Sequence, residues 1–505
     1  MIALPLDLAE ARDPAALREF LDQTRRRAEA DRHDWLVSIS VAVDALDPLA
    51  VLESIFEPNE RHFYVERPDE AAALAGADAV THFAAEGPGR FAACQRFIDD
   101  TLAHAVAVGA VDEPFGGPHF FAAFTFEPEA EAGAPFPSAS VFVPRWQVGT
   151  RAGRTVAVAN LAIGAGTRVE EVADRVWRAH AKFTSFDYGS IAVEAPEGAG
   201  AAPVAEAPSD GEGEAYMDAV SAALADIRAG RYEKIVLSRT RDLVRCDRGS
   251  GVPPLEGKDK PRNPPAPGWG GQGSAATFQP LNVLNALRQR FADCFAFSVA
   301  NGKGQSFIGA SPERLLEVRQ GRLRTEALAG SARRGLGASE DAAMAAGLAR
   351  DEKELHEHRL VVESIVTELR ALGLTPEYPA KPGLRRFANV QHLHTAIGAK
   401  LPESVRLLDV AARLHPTPAV GGAPRAAALG RIAQLERSPR GLYAGALGWI
   451  DARGDGELLV GLRSALIDGG RARLFAGAGI VAGSDPRREL AETELKFRAV
   501  RDALG

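Results

Sequence analysis

Along the second half of the chain the spacing of apolar positions switches between two periods. AYMDAVSAALADIRAG (215–230) keeps helical spacing and closes on Gly230, and KIVLSRTRDLVR (234–245) then reads as a strand. CFAFSV (294–299), SFIGASPERLLEV (306–318) and RLRTEALAG (322–330) are rich in strand-forming residues. A helical stretch follows from about Ser339 to Gly373. GLYAGALGWIDA (441–452), ELLVGLRSALID (457–468) and RARLFAGAGIV (471–481) are separated by turn signals at 453–456 and at Gly469-Gly470. Three such runs with short turns predict an antiparallel meander. Helices set apart from hairpins predict an α+β fold with large antiparallel sheets.

Two stretches interrupt this patterning. Residues 194–214 are rich in Ala, Pro, Gly and acid, and residues 247–274 in Pro and Gly. Such compositions bury too little apolar surface to offset ordering entropy. The first reads as a linker that closes an N-terminal half (1–214), and the second as a surface insertion in a C-terminal region (215–505). No internal repeat is visible.

Composition narrows the classes of function. The chain has 505 residues, 46% of them hydrophobic, with 59 basic against 67 acidic residues and a formal charge of -8. That mild acidity argues against a nucleic-acid partner. Cys94, Cys246 and Cys294 are few and scattered, which fits neither a disulfide framework nor a zinc site. No apolar run is long enough to span a membrane, and the N-terminus has no basic stretch ahead of an apolar one. A soluble cytoplasmic protein is expected.

The candidate chemistry gathers near the C-terminus, in GAGIVAGSDPRRELAETELK (477–496). Asp485 suits a helix N-cap and Pro486 the first helical position, so a helix should run from Pro486 towards Leu504. Glu489, Glu492 and Lys496 then share one face. Ahead of them the strand RARLFAGAGIV ends in a glycine turn, and the glycines Gly477, Gly479 and Gly483 would let backbone N–H groups approach an anion. Three readings stand at this point: a tight turn beside a solvated Glu492–Lys496 pair, a nucleotide-binding loop, or part of a metal site. The glycine spacing departs from the dinucleotide fingerprint, and no Gly-Lys-Ser/Thr follows. Glu354 and Glu357 also lie three apart on a predicted helix. Two helices each presenting Glu-x-x-Glu could meet around one cation, and an all-oxygen donor set suits Mg²⁺. His356 and His358 point elsewhere on that helix.

Taken together, KIVLSR (234–239), FIGASPERLL (307–316), TEALAGSARRG (325–335), ELHEHRLVVE (354–363), NVQHLHTAIGA (389–399), LHPTPAVGGAP (414–424), RGLYAGALGWID (440–451), LVGLRSALI (459–467) and the 477–496 stretch resemble the chorismate-utilising enzyme family, in the family's order. The N-terminal half contributes no motif, and the 247–274 insertion departs from the family pattern. The resemblance implies two large, mostly antiparallel sheets flanked by helices, with the active site in the cleft between them. It implies chorismate as substrate and Mg²⁺ held directly by Glu357 and Glu492, with Glu354 and Glu489 behind them. It implies substrate contacts from Tyr443, Arg463, Lys496 and the backbone at Gly477 and Gly479, and positions His392 near the substrate.

The family's reactions differ in nucleophile. Lys234 matches the base that activates water in isochorismate and salicylate synthases, and Glu313 the acid that protonates the departing hydroxyl. The first role asks for a lowered lysine pKa and the second for a raised carboxyl pKa. Ala329 stands where some relatives carry a nucleophilic lysine, and no cysteine lies in a Gly-x-Cys-x-Gly pattern, so no glutaminase subunit is expected. Ala419 resembles isochorismate synthases, where relatives of other specificity tend to carry threonine. The expectation is a monomeric Mg²⁺-dependent isochorismate synthase, with a salicylate synthase as the alternative and a nucleotide-binding regulatory protein as a more distant one.

Overall fold

A computed structural model describes residues 2–4, 14–55, 59–184, 204–207, 211–245, 277–387 and 390–504. The 247–274 insertion and most of the 194–214 linker lie outside these residues. Among the described residues are 21 strands and 11 α-helices, which is the α+β class read from the sequence. All strand pairs are antiparallel except those that Ala105–Gly109 makes with Ile2–Leu4 and Trp35–Val43.

The strands form two sheets that run into one another. One carries Lys234–Arg245 beside Arg471–Val481, then Ser464–Asp468, Gln305–Ser311, Phe295–Asn301 and Arg61–Arg67. The other carries Val390–Lys400, Arg322–Arg333, Arg314–Arg319, Gly456–Val460, Ala446–Asp451 and His119–Phe124. On the side away from the site, the long pair Ala72–Ala85 and Ala139–Arg151 bends from one sheet into the other. The bend falls where Asp78 takes a positive φ of 55° and the register shifts between Ala79 and Thr81. Between the sheets lies a core rich in phenylalanine, with Phe63 stacked on Phe121 at 4.6 Å and Phe91 on Phe124 at 4.0 Å.

The predicted meander is not what forms. The run 457–468 breaks into Gly456–Val460 and Ser464–Asp468, and these belong to different sheets. SFIGASPERLLEV likewise breaks into Gln305–Ser311 and Arg314–Arg319. Both breaks have local causes. Pro312 offers no N–H for a ladder bond, and Arg463 adopts a positive φ of 46°. The two crossings are tied together: Val460 N donates to Glu313 O at 3.1 Å, and Ala310 N to Arg463 O at 3.1 Å. The helical stretch 339–373 is also two helices, Ala338–Leu348 and Glu352–Ala371, the second capped by Asp351, which accepts from Glu354 N at 3.1 Å.

Arg440 joins the layers beneath the cleft. It is fully buried and donates to Val420 O and Val236 O, both at 2.7 Å. It also pairs with Glu436 at 2.5 Å and covers the Phe126 ring at 4.0 Å. Its removal strands a buried carboxylate and two carbonyls. Arg440→Met should therefore cost about 3–5 kcal/mol of stability. Chemical denaturation would measure this, and a loss below about 1 kcal/mol would show that these groups find other partners.

Candidate active site

The C-terminal helix runs from Pro486 to Leu504 as its sequence predicts, and Asp485 Oδ1 accepts the amides of Arg487 and Arg488 at 3.1 and 3.0 Å. It packs beside the Arg471–Val481 strand. That strand has the bounds read from RARLFAGAGIV: Gly477 and Gly479 sit inside it, opposite Ser238 and Val236, and take no part in the glycine turn that ends it. The turn falls later, at Gly483, whose φ is +90°. An in-strand position gives no phosphate-binding loop, so the nucleotide reading loses its basis. What the glycines provide is room. A Cβ on Gly477 would lie 2.9 Å from the Tyr443 hydroxyl, and one on Gly479 would lie 2.9 Å from Glu357 Oε1 and 3.3 Å from Lys234 Cε.

A cavity of about 120 Å³ opens where the two sheets part. Of the sequence candidates, Glu313, Glu357, His392, Ala419, Tyr443, Arg463, Gly477, Gly479, Glu492 and Lys496 line it. Lys234 is buried just behind, its Nζ 2.8 Å from Glu357 Oε1. Glu354 and Glu489 stand further back and do not line the cavity. Glu354 Oε2 accepts the Ser331 amide at 2.8 Å. His358 is bound between Ala329 O and the Thr395 hydroxyl, which fits its omission from the metal candidates.

Electrostatics separate the carboxyl groups. Burial first, and the Glu326 charge second, push Glu313 up to about 8, although Lys234 and Lys496 pull it down. Glu492 is held below the ordinary value because the Lys496 ammonium, 2.8 Å away, outweighs the cost of burial. Burial and the neighbouring Glu492 push Glu489 up to about 7, and burial with Glu357 raises Glu354. Burial drives His392 down to about 3, so its ring is neutral, with Nδ1 2.8 Å from the Ser331 hydroxyl.

Each cation except one has a carboxylate. Lys496 bridges Glu492 and Gly477 O, both at 2.8 Å, and Lys353 lies 3.5 Å from Glu354 and 3.9 Å from Glu489. Arg463 meets only the Cys294 sulfur at 3.6 Å and the Phe387 ring at 5.5 Å, with no ion pair among the described residues. A guanidinium so placed is ready for an incoming carboxylate. Tyr443, stacked on Phe475 at 5.3 Å, turns its hydroxyl towards Gly477.

Sequence reasoning missed Glu326, Lys353, Ser331 and Thr417. Thr417 lies in the LHPTPAVGGAP stretch that was read, beside Glu313. The partners of Glu326 come from strands roughly 60 residues later, at Arg385 and His394, and no local pattern links them.

Fold and cavity together define a class: an α+β protein with a small cavity in the cleft between two antiparallel sheets. The family model described as chorismate binding enzyme matches residues 20–249 and 272–505 and leaves most of the insertion outside. The chain belongs to that family. It is 30% identical to isochorismate synthase MenF of Bacillus subtilis over 95% of each chain. It is 43% identical to the salicylate biosynthesis isochorismate synthase of Pseudomonas aeruginosa, over 56% of this chain and about half (53%) of that protein. Among solved structures, the menaquinone-specific isochorismate synthase MenF of Escherichia coli superposes with a TM-score of 0.71 at 25% identity, covering 97% of this chain and 99% of that one. Among the described residues no helix is long and apolar enough to cross a membrane.

Gly479→Ala tests the role of the bare backbone. The added methyl must displace Glu357 or Lys234, and misplacement of about 1 Å can cost about 10²-fold in rate. Turnover of chorismate should fall at least about tenfold with an unchanged melting temperature. Unchanged turnover would mean that the Glu357–Lys234 contact can move freely.

Proposed function

We propose that this protein is an isochorismate synthase, converting chorismate to isochorismate by adding water at C2 and expelling the C4 hydroxyl. The observation that carries this reading is Glu313: a buried carboxyl poised near neutrality on the wall of a small cavity that also holds an unpaired Arg463. A group with that pKa holds its proton at pH 7 and can still give it up, which is what a general acid needs. The similarity to isochorismate synthases along nearly the whole chain supports the same substrate.

In this reading Arg463, Lys496 and the Tyr443 hydroxyl hold the substrate's carboxylates and so fix the ring between Glu313 and Lys234. Lys234 takes the proton from water as its oxygen bonds to C2. The two ring double bonds shift, the C4–O bond breaks, and Glu313 protonates the departing hydroxyl, which leaves as water. Lys234 must be neutral to do this, and in the structure it donates to Glu357 Oε1 at 2.8 Å, so that ion pair has to loosen as substrate enters. Ala329 leaves no amine for a covalent intermediate, which favours water as nucleophile.

Mg²⁺ fits the donor set. Glu357 and Glu492 would hold it, with Glu354 and Glu489 behind. Their oxygens are hard donors, and the raised Glu354 and Glu489 show carboxylate repulsion that a divalent cation would relieve. In this conformation the lysines occupy the inner oxygens, and no three candidate ligands are gathered as a metal group among the described residues. When bound, the ion supplies positive charge for the substrate carboxylate.

The direct test is incubation with chorismate and Mg²⁺, with products separated by chromatography. Isochorismate is expected. Salicylate with pyruvate would make the protein a salicylate synthase, and unchanged chorismate would refute the assignment. Lys234→Ala and Glu313→Gln should each lower single-turnover rates by about 10²–10⁴-fold while chorismate still binds. Near-normal turnover in Lys234→Ala would remove it as the base. Glu357→Gln or Glu492→Gln should raise the Mg²⁺ concentration needed for activity and lower the rate at saturation. Full activity of either variant at ordinary Mg²⁺ would dismiss the metal assignment.

A further inference from the structure

Glu326 stands on the Arg322–Arg333 strand, against the residue that follows Glu313. Its Oε1 accepts the Arg314 amide at 3.2 Å. Its Oε2 accepts Arg385 Nη1 at 2.8 Å and lies 2.9 Å from His394 Nε2. These partners come from three different strands, and the carboxylate they hold is buried. Arg314 turns its guanidinium the other way, to Glu457 at 2.6 Å and Glu70 at 3.2 Å.

Glu313 is also held through its backbone. Its amide donates to the Ser311 hydroxyl at 3.2 Å, and its carbonyl accepts from Val460 N at 3.1 Å. The Glu326 contact to the next amide completes the fixation. The two carboxyl groups thus share a buried region but have different surroundings. Burial opposes charge on Glu326, but His394, Arg385 and Arg314 outweigh it and hold the group at about 2. Two neighbouring carboxyls cannot both ionise cheaply, and the one with hydrogen-bond donors keeps the charge. The other groups facing Glu313 are Lys234 and Lys496, whose charges act in the opposite sense, with Thr417 and the neutral Tyr443.

We propose that Glu326 is a positioning residue for Glu313: it fixes the backbone on which the acid stands, and its permanent charge keeps the neighbouring carboxyl in its proton-donating form. The inference rests on the reading of Glu313 as the general acid. It assigns a task to the Glu326–Arg385–His394 cluster, whose members do not line the cavity.

The test is the basic limb of the pH–rate profile, since activity fails as Glu313 loses its proton. Glu326→Gln removes the negative charge and should move that limb down by about 1 pH unit. Arg385→Gln leaves the charge but strips a compensating cation, and should move the limb up. Glu326→Asp should restore it close to the wild-type position. A purely structural role would lower the rate in all three with the limb unmoved, and that result would overturn the proposal. Arg385 is only half-buried, so its variant carries the test if Glu326→Gln does not fold, and an unmoved or lowered limb there would equally refute it. An infrared titration of the protonated carboxyl band, taken as the difference from Glu313→Gln, reads the same shift without turnover. A band that moves while the rate profile does not would support the Glu326 effect and reject Glu313 as the acid. A band unmoved in Glu326→Gln would reject the Glu326 effect itself.

Discussion

The site depends on two strand crossings placed side by side. At Pro312 and at Arg463 the chain leaves one sheet and enters the other, and the hydrogen bonds between Glu313 and Val460 and between Ala310 and Arg463 lock the crossings together. Had either run continued as a regular strand, the sheets would not part at this level and no cavity would exist. Glu313, next to Pro312, is the proposed proton donor, and Arg463 carries the unpaired guanidinium. Backbone irregularity at a functional position is what close placement of side chains from two sheets demands.

Buried charge is the second organising feature. Lys234, Lys496, Glu357 and Glu492 lie within a few bonds' reach of one another, and each ammonium takes a carboxylate at 2.8 Å. Pairs of this kind add little net stability, because desolvation offsets the attraction. Their value is in readiness: an entering anion and its cation can exchange partners with groups already desolvated and aimed. Glu313 differs because it has no such partner among the described residues. Burial first, and the Glu326 charge second, favour the protonated form of its carboxyl, so that the site holds both ionised and neutral carboxyls.

Much of this was legible in the residues, for reasons that are local. The Pro486–Leu504 helix follows from a cap, a proline and a periodic face within one turn of each other. The Glu-x-x-Glu pairs follow from helical spacing alone. The strand crossings were harder. SFIGASPERLLEV and ELLVGLRSALID each read as one strand, and the breaks were marked only by Pro312 with Glu313 and Arg314, and by Gly461 with Arg463 and Ser464. The strand that holds Gly477 and Gly479 was readable, but their small size serves clearance for Tyr443, Glu357 and Lys234, which only the packed structure shows. Glu326 gave no signal, since its meaning depends on Arg385 and His394 arriving from other strands. The bent strand pair and the helices of the N-terminal half contribute no residue to the cavity lining, and no motif announced them.

In the proposed reaction water, activated on the Lys234 side of the ring, replaces the hydroxyl protonated by Glu313. Conversion of chorismate in ¹⁸O-enriched water, followed by mass spectrometry of the product, tests it most directly. Isochorismate should carry one ¹⁸O atom, at the C2 hydroxyl. Isochorismate formed without label would mean that the hydroxyl migrates within the substrate, and would contradict the assigned roles of both residues.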